Sequence, residues 1–301
     1  MTNQTKAYIY TIITVLLWST VASAFKIALQ ELDFVQLLFY ASCFSLLSLL
    51  AVLVVQRKIH LLIDLTKRDL VYSSLLGLIN PTIYYLILFK AYDMLPAQEA
   101  QPLNWTWPIM LTILSVPLLK QKLTSKKVIA ISIAFLGVIV ISSKGNLTEC
   151  KLTNITGDLL AIGSSVFWAL FWIFNIKDRR DPVVKLFYCF MFGCIYNFII
   201  ITLLTDFSIP SFKGITSAAY VGLFEMGISF ILWLKALSLS RDSASVGIIA
   251  YITPFLSLVL IHFVVGETIL ISSIIGLILI VTGILFQMLN YSAKTTHNNL
   301  L

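Results

Sequence analysis

Apolar residues run along this chain in ten long blocks separated by short polar stretches. A spanning helix needs about 20 mostly apolar residues. Windows of that size fall at roughly 7–29, 34–56, 70–90, 97–118, 126–143, 156–176, 182–204, 214–236, 244–263 and 270–291. Inside a bilayer each apolar run must satisfy its own backbone hydrogen bonds, which for runs this long means helix. The pattern therefore predicts an all-α integral membrane protein of ten transmembrane helices. At the start of the chain, Lys6, an apolar stretch and Ala22-Ser23-Ala24 imitate a secretory signal with its small-residue cleavage site. The apolar stretch continues beyond that site and has a counterpart in the second half, so it is taken as the first span.

Composition agrees with the bilayer as solvent. Hydrophobic residues make up 59% of the chain, charged residues 12%, and the mean hydropathy is +0.94. A soluble domain carries about 25% charged residues. Placing the N-terminus in the cytoplasm puts 16 of the 21 Lys and Arg residues on the inside. Lys26, Lys90, Lys144, Lys151 and Lys213 are left outside. That bias predicts two cytoplasmic termini in the cytoplasmic (inner) membrane. It also accounts for the net charge of +7 as a topology signal, so nucleic acid is excluded as a partner. The loops are short, the longest near 57–69 and 144–155, so any function must reside in the helical bundle. Cys43, Cys150, Cys189 and Cys194 show no paired-ligand spacing, so no metal, disulfide framework or cofactor is expected.

The two halves repeat at an offset of about 145–150 residues. Leu17-Trp18-Ser19 aligns with Phe167-Trp168-Ala169, and Leu38-Phe39-Tyr40 with Leu186-Phe187-Tyr188. Gly77 through Lys90-Ala91 aligns with Gly222 through Lys235-Ala236, Pro108 with Pro254, and Gly137 with Gly283. Repeats are expected at 1–145 and 156–292, with a cytoplasmic tail at 293–301. Five spans per repeat is an odd number, so the second repeat must enter the membrane upside down. Inverted repeats are an architecture of secondary transporters, with the substrate held near the midplane between them.

Ten spans in two halves, the Leu16-Leu17-Trp18-Ser19 start and Gly266-Glu267 before a Gly-rich last helix together resemble the drug/metabolite transporter superfamily, EamA type. The stretch Asn104-Trp105-Thr106-Trp107-Pro108 is similar to a motif of the bacterial aromatic amino-acid exporter branch. Gln121 stands where a second copy of Glu267 would fall, a departure from full symmetry.

Counting about eleven residues into each span reaches the bilayer centre. There lie Trp18 and Trp168, Asn80-Pro81 and Glu225, Asn104, Trp105, Trp107 and Pro108, and Tyr251, Thr253 and Pro254. A carboxylate at that depth costs about 2.5–3.5 kcal/mol even on lenient scales. Glu225 should therefore face a cavity or a partner, and it is the candidate for carrying a proton or meeting a substrate ammonium. Its structural alternative is a hydrogen bond to Asn80 or a tyrosine. Trp18, Asn80, Asn104, Trp105, Trp107, Trp168 and Tyr251 are the other candidate substrate contacts. The tryptophans serve either as aromatic walls or as packing, since tryptophan ordinarily gathers at the interfaces. Pro81, Pro108 and Pro254 are candidate hinges or simple packing kinks. Glu99, Lys90 and Lys235 near span ends are candidate gating or coupling groups, although lysines so placed ordinarily snorkel to the headgroups.

These readings predict a secondary transporter of small metabolites, amino acids or related amphipathic compounds, working by alternating access in the direction of export; proton exchange through Glu225 is the simplest coupling, and facilitated diffusion is equally compatible with the residues. The chain has no nucleotide-binding motif. Import or exchange of nucleoside-derived or nucleotide-sugar-like metabolites is the alternative within the same architecture; a non-transport scaffold lies outside it. An enzyme would need a nucleophile, acid–base pair or metal cluster, and His60, His262 and His297 are scattered. The expected partners are a small-molecule substrate, the lipid bilayer and protons. A ten-span chain can enclose a cavity alone, so a monomer is expected.

Overall fold

The computed structural model describes residues 1–120, 124–144, 154–205, 210–240 and 243–298, with side chains in the last helix described as far as Phe286. Gln121, Lys122, Asn146, Cys150, Lys151 and Arg241 lie outside the described residues. The helices are α1 (Asn3–Leu29), α2 (Phe34–Val55), α3 (Lys67–Met94), α4 (Ala97–Leu119) and α5 (Ser125–Ser142). They continue as α6 (Ile155–Lys177), α7 (Pro182–Leu204), α8 (Phe212–Leu239), α9 (Val246–Val265) and α10 (Ile271–Asn298). Nine of these are long and apolar enough to cross a membrane among the described residues, and α10 contributes an apolar stretch at Ile271–Phe286. No strand occurs among the described residues.

Helix starts follow local chemistry. Asp33 and Gln36 form a reciprocal cap on α2, and Thr66 and Asp69 do the same for α3, each satisfying amides that the first turn leaves free. This polar first turn explains why α3 begins three residues before the apolar window. Asp181 caps α7 by accepting from the Val183 and Val184 amides and pairs with Lys58 at 2.7 Å. Burial raises the Asp181 carboxyl, but the Lys58 bond and the two amides outweigh it and hold it below the usual carboxylate range.

Four helices are interrupted, and the interruptions recur in both halves. Wide turns occupy Leu78–Ile83 in α3 and Val221–Gly227 in α8, and α3 is fully non-helical at Asn80 (φ −146°, ψ 122°). Helix α4 breaks between Asn104 and Trp107, and α9 between Ala250 and Thr253. Pro81, Pro108 and Pro254 each sit within or just after a break, where the missing amide costs no helical bond.

The packing repeats too. Helix α1 lies along α8 while α6 lies along α3; α2 packs on α7, and α5 on α10. A methyl group on Gly77 would strike the Cys189 carbonyl, and one on Gly222 the Ala41 carbonyl. Gly137 and Gly276 abut each other's carbonyls in the α5–α10 pair, the close approach that small residues permit in membranes.

The two ends of the bundle differ. The near face, which carries the N-terminus, joins Gln4 to Ser240, Lys58 to Asp181, and Arg180 to Ser73. The far face joins Lys26 to the Tyr92 and Leu95 carbonyls, Asn154 to Met94, and Lys213 to Glu31.

Candidate functional site

The helix interruptions surround one cavity of about 170 Å³. Its wall includes Trp18, Trp105, Trp107, Trp168, Trp172 and Trp233, every tryptophan of the chain, together with Tyr84, Tyr92, Gln101, Asn104 and Glu225. Trp168 is the hub: its ring centroid lies 4.8 Å from Tyr84, 5.8 Å from Trp172, 5.3 Å from Phe230 and 6.5 Å from Trp107. Trp18 packs on Trp233 at 5.5 Å. These tilted and edge-on pairs fix the ring planes and leave π-faces available to a cation.

Glu225 is the charged group of the wall. It sits on the wide turns of α8, where the loosened backbone carries it inward. Tyr85 Oη donates to Glu225 Oε1 at 3.0 Å, and Oε2 has no partner among the described residues. The indole N–H groups of Trp18 and Trp168 also lack partners. The residues of the wall therefore hold, just beneath its surface, one carboxyl oxygen with an unused acceptor and two N–H groups with unused donors. Asn104 is held from both sides, accepting from Tyr84 at 3.4 Å and donating to Ser164 at 2.9 Å.

The lining changes from one end to the other. Val21, Phe25, Leu88, Tyr92 and Gln101, toward the far face, are buried, whereas Trp107, Leu111 and Leu237, toward the near face, are half-exposed. Phe25, Phe89 and Tyr92 stack edge-on at 4.8 and 5.1 Å above the cavity. A chain of bonds crosses the same level: Tyr92 to Gln101, Gln101 to Ser257 at 3.2 Å, and Ser257 to the Ser19 carbonyl at 3.0 Å. The cavity is thus closed at the far face and opens toward the near face.

The structure also explains the Gly-Glu pair before α10. Gly266 adopts a left-handed conformation (φ 80°) that only glycine reaches without strain. The chain reverses there and Glu267 meets the α4 N-terminus, accepting from the Ala97 and Gln98 amides at 2.7 and 3.1 Å. Gln98 answers by bonding the Thr268 carbonyl, the Leu270 amide and Ser273.

The candidates from sequence fall into three groups. Trp18, Asn104, Trp105, Trp107, Trp168 and Glu225 share the cavity wall. Tyr251 lies behind it, its ring 6.3 Å from that of Trp105, and Asn80 is wholly buried outside the lining with neither amide atom bonded among the described residues. Lys90 pairs with Asp93 and lies over the Phe34 ring, Lys235 lies over Tyr10 near the opposite face, and Glu99 is buried at the far face. Counting to a single depth overlooked Trp172, one turn nearer the open end than Trp168, and Trp233, about two turns nearer it than Glu225. Trp172 was recoverable, since residues four apart share a helix face. Tyr84, Tyr92 and Gln101 left no comparable signal. Among the described residues no three of His, Cys, Asp or Glu gather to hold a metal.

Known proteins resemble this chain along nearly its whole length. A transporter of Clostridium kluyveri, itself uncharacterized, is 25% identical over 98% of this chain and 96% of its own. An uncharacterized transporter of Archaeoglobus fulgidus is 26% identical over 93% of this chain and 96% of its own. One crystal structure superposes with a TM-score of 0.65 at 20% identity, covering 95% of this chain and 97% of the other, a likeness of fold. The pattern of the EamA-like transporter family matches residues 5–143 and again residues 155–289. The chain belongs to the EamA-like transporter family and is a multi-pass protein of the cytoplasmic membrane.

Proposed function

We propose that the protein is a secondary transporter that exports small zwitterionic metabolites, amino acids or related amphipathic amines, in exchange for protons. The observation that supports this reading is the composition of the cavity wall: six tryptophans, one carboxyl with a free oxygen, and no Lys or Arg. An ammonium group would sit against Glu225 and the aromatic faces. A carboxylate would accept from the free indole N–H groups of Trp18 and Trp168. The cavity is close to the ~150 Å³ that holds a benzene ring in an engineered core. That size favours a single-ring or aliphatic amine over a nucleotide sugar, whose phosphates would also lack a cationic partner.

Two five-helix repeats, 1–145 and 156–292, inserted in opposite senses, supply the means of alternating access. Exchange of the roles of the paired helices would close the near face and open the far face. With both termini in the cytoplasm, the cavity described here faces inward, the state in which an exporter loads. Glu225 either holds the substrate ammonium or a proton, since the same oxygen cannot serve both. One chain encloses the whole cavity, so the working unit is a monomer.

The test is counterflow in proteoliposomes with labelled aromatic, aliphatic and cationic amino acids, each with and without a pH gradient. Saturable transport of one class is expected, and Glu225→Gln should abolish its response to the gradient. Transport of that class unaltered by the substitution would leave a carrier whose coupling does not run through Glu225. Transport of nucleotide sugars instead would overturn the substrate assignment.

A further inference from the structure

A second acidic site lies away from the cavity, at the far face. Glu99, in the first turn of α4, and Asp158, in the first turn of α6, are 3% and 4% exposed. Their carboxyl groups lie against each other, with the Ser142 hydroxyl at the end of α5 beside Asp158. Among the described residues, Glu99 Oε1 has no hydrogen-bond partner, and neither Asp158 oxygen makes a hydrogen bond of ordinary geometry, the Ser142 hydroxyl being the donor nearest to it. Two ionised carboxylates are both acceptors and cannot bond one another; one proton between them turns the contact into an O–H···O bond.

The surrounding charges count the same way. Lys144 Nζ lies 3.8 Å from Glu99, on an exposed side chain. Glu267 feels both Glu99 and the half-buried Lys26, whose ammonium is bonded to the Tyr92 and Leu95 carbonyls. Nearby Lys90 and Asp93 neutralise each other at 2.8 Å. Among the described residues, Glu99, Asp158 and Glu267 face Lys26 and Lys144, which leaves one negative charge uncompensated within this cluster. A metal cation would need more oxygen ligands than two carboxyls and one hydroxyl, and Lys144 would repel it.

We infer that Glu99 and Asp158 form a proton-binding site distinct from Glu225, filled when the far face is closed and emptied when it opens. Closure buries both carboxyls against each other, which requires a proton from water. Opening separates the α4 start from α6 and α5, returns each carboxyl to water, and releases that proton on the far side. Only the coupling role rests on the transport reading; proton binding itself does not.

The first test needs no substrate. Infrared spectra of purified protein in nanodiscs at neutral pH report protonated carboxyls through their carbonyl stretch. Glu225→Gln protein should retain a protonated-carboxyl band, and adding Glu99→Gln should remove it. Absence of the band in the Glu225→Gln protein, or its persistence in the double variant, overturns the proposal. The second test is counterflow with Glu99→Gln, in which acceleration by a pH gradient should fall while substrate affinity, read by tryptophan fluorescence, is unchanged. Undiminished acceleration overturns the coupling role. If no transport appears even in the wild type, the function proposed above fails while the infrared result still decides the proton site.

Discussion

At the scale of single residues, the most informative comparison is between two repeat-related positions, Asn80 and Glu225. Glu225 meets the hydroxyl of Tyr85; the residue that corresponds to Tyr85 in the second half is Phe230, which has none. Asn80 accordingly has no hydrogen bond among the described residues at either amide atom although it is fully buried. Removing one partner of a buried polar pair costs about 1–3 kcal/mol, whereas replacing a group that was never paired is nearly neutral. Tyr85→Phe should therefore lower the thermal midpoint in detergent, and Asn80→Leu should leave it unchanged or raise it. The extended backbone at Asn80 accepts leucine without strain. A large loss of stability in Asn80→Leu would show that its amide has a partner in the resting protein. Glu225 was legible in the sequence because a carboxylate at mid-depth is rare. Its partner was not, because one tyrosine among twelve carries no mark of which way its hydroxyl points.

At the scale of helices, the positions of the spans were legible because the bilayer demands apolar runs of a fixed length. The breaks were foreshadowed by Asn80-Pro81, Pro108 and Pro254. The wide turns of α8 were not, since Val221–Gly227 contains no proline and its two glycines look like ordinary packing residues. One of them, Gly222, holds those turns against α2, and a methyl group there would strike the Ala41 carbonyl. Gly163, in α6, has open space where a side chain would go. Gly222→Ala should thus destabilise by about 1–3 kcal/mol through overpacking and displace Glu225. Gly163→Ala should stabilise by about 0.5–1 kcal/mol, because alanine has less backbone freedom to lose on folding. Thermal unfolding of the two variants side by side separates packing from propensity; a shift of the same sign in both would refute this account of α8.

At the scale of the whole molecule, the closed far face depends on a latch that the sequence displayed only as a Gly-Glu pair. Glu267 holds the start of α4 through two backbone amides, and Gln98 holds the loop before α10 in return. Both anchors join the second half of the chain to the first, so neither half can rock away from the other at this face while they persist. Removing the Glu267 carboxylate leaves two amides at a helix N-terminus without their acceptor, and the closed arrangement loses stability relative to the open one. Because every tryptophan lines the cavity, intrinsic fluorescence reports cavity access with no background from elsewhere in the chain. Acrylamide quenching in nanodiscs should therefore steepen in Glu267→Ala and in Gln98→Ala, as the cavity gains a second entrance. The control Lys90→Ala, which removes an ion pair outside the latch, should leave the slope at its wild-type value. Equal slopes in all four proteins would mean that the far face is held shut by its other contacts, the Phe25, Phe89 and Tyr92 rings and the Gln101–Ser257 bond among them, with the latch following the motion rather than setting it.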